Sequence, residues 1–414
     1  MRKNCASPCG ILVRLVLLAF GATVPVAAQN VFVVDTSGGG DFTGLQDAVN
    51  AAVTGDVILV HSTSYGDVVI DGKGVAVVGL ALNPHQIYFG GLIVRNLPTQ
   101  AVVTLRLLSM ESSSVFVPAV DLHDNAGAVF MESCLVMGVD SRGDLNPPPA
   151  GLAMLVNNCA SVALVDSVIV GGDGHPQILP YILASTGGPG LRIIDSEVSV
   201  ELTEVSGGKG GGSNTMYGGE PGGHAIELTG GFVHFAGATV TGGANGAGCT
   251  LCDGSDGLHV FAGAGQGVHS DFAAGSMDYG PPGQAIDAPP GAVINLLDQA
   301  RIFLVDSPLW SLHEGTLTYF GEPQDLVSVF ISGSSGFVPL PSMGGVWQLG
   351  PLAAGPLPLG VVDGTGKFVL TFRAPALPPG VEGMALVAQC LVQTEDGELR
   401  VSSPTTTAIV LEAF

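Results

Sequence analysis

The sequence predicts an all-β chain: a solenoid of short strands over residues 29–311, followed by a small antiparallel β-sandwich over 312–414. Three observations carry this. First, a phrase recurs about once every thirty residues: Gly, an apolar alternation, a few small residues, a second alternation, then Gly-Gly. The best copies run from Gly151 to Gly172, Gly190 to Gly208 and Gly223 to Gly243, with weaker starts at Ala119, Gly257 and Gly283. Second, the alternation has a period of two, the signature of strands with one face buried. Third, the texture changes near residue 312. Gly-rich repeats give way to spaced strands at 326–331, 346–349, 366–372, 384–392 and 408–411, separated by Pro- and Gly-rich turns.

Residues 1–28 read as a secretory signal. Arg2, Lys3 and Arg14 precede or flank an apolar stretch that runs to Val26, and Val26-Ala27-Ala28 is a small-residue cleavage site. Val31–Val34 is then a strand and 38–43 a turn. Leu45, Ala48, Val49, Ala52 and Val53 follow a helical spacing, so one helical face lies over the open end of the solenoid. Residues 55–60, 67–70 and 75–79 alternate as the first coils.

Aligning the repeats puts Ser133, Ser167, Thr203 and Ala238 at one position. Leu135, Ile169, Val205 and Val240 fall two residues later and face inward, while Cys134, Val168, Glu204 and Thr239 face outward. In the strand that opens each repeat, Leu122, Met154, Ile193, Ile226, Val260 and Ile286 form one interior stack. The repeat starts are 26 to 39 residues apart, so loops of variable length project, most clearly 207–223 and 242–257. These Gly runs are read as flanking loops without a core of their own.

The stretch Asp41-Phe-Thr-Gly-Leu-Gln-Asp-Ala-Val49, with 55–60, Tyr65 and 68–70, resembles the N-terminal cap and first turns of the pectin lyase-like superfamily, an opening shared with pectin esterases. The resemblance covers about 45 residues. It implies a right-handed parallel β-helix and carries no catalytic residue with it. Residues 363–372, 375–379, 388–392 and Ser402-Ser-Pro404 resemble a C-terminal module of secreted bacterial surface proteins, which implies an exported accessory domain.

Net charge is −23, and cleavage after residue 28 would remove Arg2, Lys3 and Arg14 but no acid, leaving −26. Such a surface disfavours nucleic acid and anionic membranes. No second long apolar span is present, so no transmembrane anchor is expected in the mature chain, which is read as a secreted or surface-attached monomer. Cys249 and Cys252 are read as a loop-stapling disulfide and Cys134, Cys159 and Cys390 as small buried hydrophobes.

In sugar-cleaving relatives of this superfamily the reaction occupies the outer face of the strand after the longest loops. Here those outward positions carry Asp121, Arg192 and His259 in one row and His123, Glu227 and Asp287 in the next. Asp256 precedes a Gly-Leu step, much as a calcium-binding Asp does in pectate lyases. Glu227, Asp287, Arg192 and His259 are therefore the catalytic candidates of a polysaccharide lyase or glycoside hydrolase. Asp256, Glu227 and Asp287, side chains toward solvent, are the candidate calcium ligands. The set departs from every known signature of such enzymes, so the leading expectation is a non-catalytic exported protein. It would present a surface for extracellular glycan or cell-envelope material.

Overall fold

A computed structural model describes residues 29–411 except 62, 81–86, 143–146, 178–182, 214–218, 248, 250–251, 253, 269, 277–282, 291–292, 298–300 and 352. The expected export signal lies outside the described residues. The chain is all-β, 52% strand and 3% helix, and is built on large parallel sheets, an arrangement compatible with a parallel β-helix.

Five coils each contribute one long strand to a 13-stranded sheet and one short strand to an 8-stranded sheet, and the earlier coils supply the larger sheet with shorter, separate strands. The long strands are Val120–Glu132, Met154–Val165, Leu191–Glu201, Ile226–Ala236 and Leu258–Val268, and successive members pair in parallel. Each of the first four bends in mid-strand at a residue of positive φ: Asp124, Asn158, Asp195 and the pair Gly230–Gly231. Asp and Asn tolerate that left-handed conformation better than other residues with a side chain. The bend divides each long strand into two segments that face different ways. Before it, Val120–Asp124 continues the row of Val68–Asp71 and Leu92–Arg95; after it, Ala128–Glu132 continues Val102–Arg106. The helix Leu45–Ala51 closes the first coils, burying Leu45, Ala48 and Val49.

The interior is one continuous apolar cluster from Val34 to Val260. Ile169, Val205 and Val240 pair in register and are fully buried. Two details of the predicted alignment are corrected. Leu135 pairs with Val168, so Val136 is the residue in line with Ile169. Cys134, expected outside, is therefore inside at 1% exposure, because a slip of one residue exchanges the faces. In the long strands the predicted stack merges two interior rows. Leu122, Val156, Ile193, Leu228 and Val260 form one; Val120, Met154, Leu191, Ile226, Leu258 and Ile286 form the other. A slip of two leaves a side chain on its own face, so inside stays inside.

The larger correction concerns the Gly-rich segments. Their described residues pack as a layer. Gly171, Gly174 and Gln177 N–H donate to the carbonyls of Ser206, Lys209 and Gly212 on the next coil. Gly207, Gly210 and Ser213 donate in turn to Thr241, Ala244 and Ala247. A hydrogen-bond period of three is that of polyproline II chains, where β-strands show two. Outgoing and returning legs also join: Gly188 N–H donates to Gly172 O, Gly208 to Gly188, Gly223 to Gly208 and Gly243 to Gly223, each at 2.8 Å. A Cβ on Gly172, Gly188, Gly208, Gly223 or Gly243 would overlap a neighbouring backbone. Glycine is required here because backbone packs directly on backbone. Cys249 and Cys252 lie at the edge of this layer and are disulfide-bonded, with Cα atoms 5.7 Å apart.

Antiparallel pairing begins at Ile302, ahead of the texture change at 312. Ile302–Val305 pairs with Glu314–Phe320, which pairs with Lys367–Arg373. A second sheet holds Leu309–Trp310, Leu399–Val410, Gly383–Gln393, Leu326–Ser332 and Ala354–Val361. Phe303 and Tyr319 from the first meet Val327, Cys390 and Ile409 from the second in one core. These sheets, with the hairpin Ser335–Leu340 and Gly345–Leu349, cover the outer face of the long strands beyond the bend, where Phe130, Ala163 and Val165 pack with Leu349, Val387 and Trp347. The segment before the bend is left open.

Candidate functional site

Parallel pairing places outward residues of successive coils about 4.8 Å apart, close enough for side chains to touch. On the open segment one ladder runs Asp121, Leu155, Arg192, Glu227, His259, Asp287. The sequence reading divided these charged residues between two rows. They form one row because the true repeat starts are Ala119, Ala153, Gly190, Ala225, Gly257 and Ala285, as the backbone bonds show. Gly151, Gly223 and Gly283, the starts the sequence suggests, each lie two residues early. His123 belongs to a separate row with Arg95 and Asn157.

Within the ladder Leu155 separates Asp121 from the other charges. Burial raises the Asp121 pKa, partly offset by the nearby His123. Arg192 Nε lies 2.6 Å from Glu227 Oε2. His259 Nδ1 lies 2.7 Å from Asp256 Oδ2 and 3.1 Å from Asp287 Oδ2. Both neighbours are acceptors, which assigns the ring proton to Nδ1. Asp256 comes from the approach to the same coil. Its expected exposure is corrected: it is 6% exposed, because Oδ1 accepts the Gln284 N–H at 2.7 Å while Oδ2 faces the imidazole.

Sequence reasoning missed two members. His224 occupies the position of Asp256 one coil earlier, since Ala225 N–H donates to Asp256 O at 3.1 Å and Ile226 N–H to Gly257 O at 3.0 Å. The two-residue misalignment at Gly223 hid it. The Asp256 N–H donates to His224 Nδ1 at 3.0 Å, so that nitrogen is the unprotonated one and its lone pair accepts this bond. Burial lowers the His224 pKa, and the neighbouring His259 lowers it further, against an opposite pull from Asp256. The His224 and His259 rings stack with centroids 4.6 Å apart. The second missed residue is Phe261, whose ring is 57% exposed and stands edge-on to His259 at 4.4 Å. It lies two residues after His259, so strict alternation puts it on the same outer face, and a search confined to polar side chains passes over it. The pairing with the preceding coil is locally irregular there, since Leu228 pairs with Val260 but Thr229 with Ala262.

The site is thus a rigid, polar, laterally paired surface with one exposed aromatic ring. Arg192 claims Glu227, which withdraws it from the predicted oxygen-ligand set of Asp256, Glu227 and Asp287. His259 stands between the other two. No protein-family model matches the chain, and no curated protein matches it. Among the described residues no helix is long and apolar enough to cross a membrane.

Proposed function

We propose that this is an exported, right-handed parallel β-helix of the pectin lyase-like kind, with a C-terminal β-sandwich, that binds extracellular glycan or cell-envelope polymer through the open half of its outer face. The observation that carries this reading is Phe261. A large aromatic ring left in water beside hydrogen-bonding side chains offers an apolar platform and polar anchors together. The ladder supplies these anchors at a fixed axial spacing of about 4.8 Å, matched to a polymer with repeating polar groups. The paired charges support binding over turnover. Glu227 is held by Arg192 and Asp287 by His259, so neither stands free as the acid or nucleophile of a glycosidase pair.

The second reading is a polysaccharide lyase or hydrolase, and the imidazole held by two carboxylates favours it. His259 is oriented in the manner of a general base. A panel of uronate-rich and neutral polysaccharides separates the two readings. Retention of polymer without new reducing ends or unsaturated products is the expected outcome. Turnover abolished by Glu227→Gln or Asp287→Asn would replace the binding-only reading with the catalytic one.

A further inference from the structure

We infer that His224, Asp256 and His259, with Asp287 as fourth ligand, form a binding site for a divalent metal of the zinc class. One ligand atom from each of the first three lies within 4.8 Å of the others. Asp256 Oδ2 is 3.4 Å from His224 Nδ1 and 2.7 Å from His259 Nδ1, and Asp287 Oδ2 is 3.1 Å from the same nitrogen. Ligands at about 2.0 to 2.2 Å around a four-coordinate zinc stand roughly 3.3 Å from one another. The three observed spacings lie near that figure, so insertion moves Asp256 Oδ2 and His259 Nδ1 apart by about 0.6 Å, and Asp287, outside the group that lies within 4.8 Å, must swing in to complete the set.

The donor set decides the class of ion. Two imidazole nitrogens and two carboxylate oxygens suit zinc, cobalt, nickel or copper. Calcium takes six to eight oxygens at about 2.3 to 2.6 Å, and here nitrogens hold the centre while Glu227 is turned to Arg192. The two carboxylates are also oriented from behind, with Gln284 Nε2 donating to Asp287 Oδ1 at 3.4 Å. Gln284 N–H fixes Asp256 Oδ1 at 2.7 Å and leaves Oδ2 for the ion. Adjacent coils are locked together by the bond from Gly257 N–H to Gln284 O at 3.0 Å. The ion takes the place of the His259 Nδ1 proton between the two carboxylates. His224 Nδ1 exchanges the Asp256 N–H for the metal, a loss that metal ligation readily offsets. The site stands whether or not the chain binds glycan.

The test uses the tag-free chain, stripped with chelator and titrated with zinc. It should take up one zinc per chain, and cobalt(II) in its place should give the visible spectrum of a four-coordinate nitrogen–oxygen site. His259→Ala and Asp256→Asn should each weaken zinc binding by about 100-fold or more, while His123→Ala leaves it unchanged. Calcium at equal concentration should not compete. No zinc uptake, uptake unaffected by either variant, or displacement of zinc by calcium would each overturn the site. If a variant fails to fold, the cobalt spectrum of the unaltered chain decides alone: a six-coordinate or absent signal overturns the proposal.

Discussion

Glu201 ends a long strand with its side chain 2% exposed beneath the C-terminal sheets, beside the Ser199 and Ser403 hydroxyls. Burial pushes its pKa up to about 8, against a smaller opposing pull from Ser199. The folded chain keeps this proton up to about pH 8, whereas the unfolded chain releases it near the ordinary value of 4.5. Between those two values the folded state binds more protons, so its stability falls as pH rises. Glu201→Gln removes the titration. Its stability relative to the parent should therefore rise from pH 5 to pH 8, by about 3 kcal/mol, as read by urea unfolding at each pH. A constant difference across that range would contradict the assignment. Glu132 is buried differently, with Arg106 Nη1 3.0 Å away and Thr406 Oγ1 donating at 3.0 Å. Arg106 also donates to Thr406 O at 3.0 Å, so the pair stitches the parallel sheet to the last strand. Arg106→Ala strands a buried carboxylate and should cost about 3 to 5 kcal/mol in urea unfolding. The double change Arg106→Met with Glu132→Leu should cost far less, because no charge is then left alone. Equal losses in both would place the stabilisation in packing instead of charge.

The long strands show what an apolar alternation specifies and what it leaves open. Two-residue slips at Gly151, Gly223 and Gly283 preserve every inside–outside assignment in these strands, because side chains repeat with a period of two. The same slips dispersed Arg192, Glu227, His259 and Asp287 over two rows and hid His224, since axial neighbours depend on absolute register. Register is fixed by backbone bonds and bends such as Asp124 and Asn158, which carry only a weak sequence signal. The Gly-rich segments were misread for a different reason. Glycine signals a turn when judged singly, and its role here is collective: N–H groups every third residue bind the neighbouring leg. Substitution tests this directly. In Gly208→Ala the new methyl would overlap the Gly172 carbonyl, while at Gly66 a Cβ meets nothing within 4 Å. Gly208→Ala should lower unfolding free energy by about 3 kcal/mol, and Gly66→Ala should change it by less than about 0.5 kcal/mol. Similar small effects at both sites would mean that the layer tolerates side chains and is not close-packed.

At the scale of the whole molecule, the outer face of the long strands is divided. The half beyond the bend is covered, with Phe130 and Val165 against Leu349 and Val387 and the buried Glu132 and Glu201 beside them; the half before it is polar and open. The all-β class, the parallel coils and the later antiparallel strands were legible in repeat spacing and texture. Which face the C-terminal sheets would cover was not, because Phe130 and Val165 alternate like any half-buried strand residues and docking is a tertiary property. That covering leaves the ladder and Phe261 as the accessible part of this face, on a chain of net charge −23. We propose that a polymer lies along this open half. Affinity electrophoresis through gels cast with the retained polysaccharide tests it, comparing the parent with Phe261→Ala and with Phe320→Ala, an exposed ring on the C-terminal sheets. Phe261→Ala should lose at least about tenfold in affinity, or roughly 1.4 kcal/mol, while Phe320→Ala should migrate like the parent. Equal retention of all three proteins, or loss only in Phe320→Ala, would contradict it.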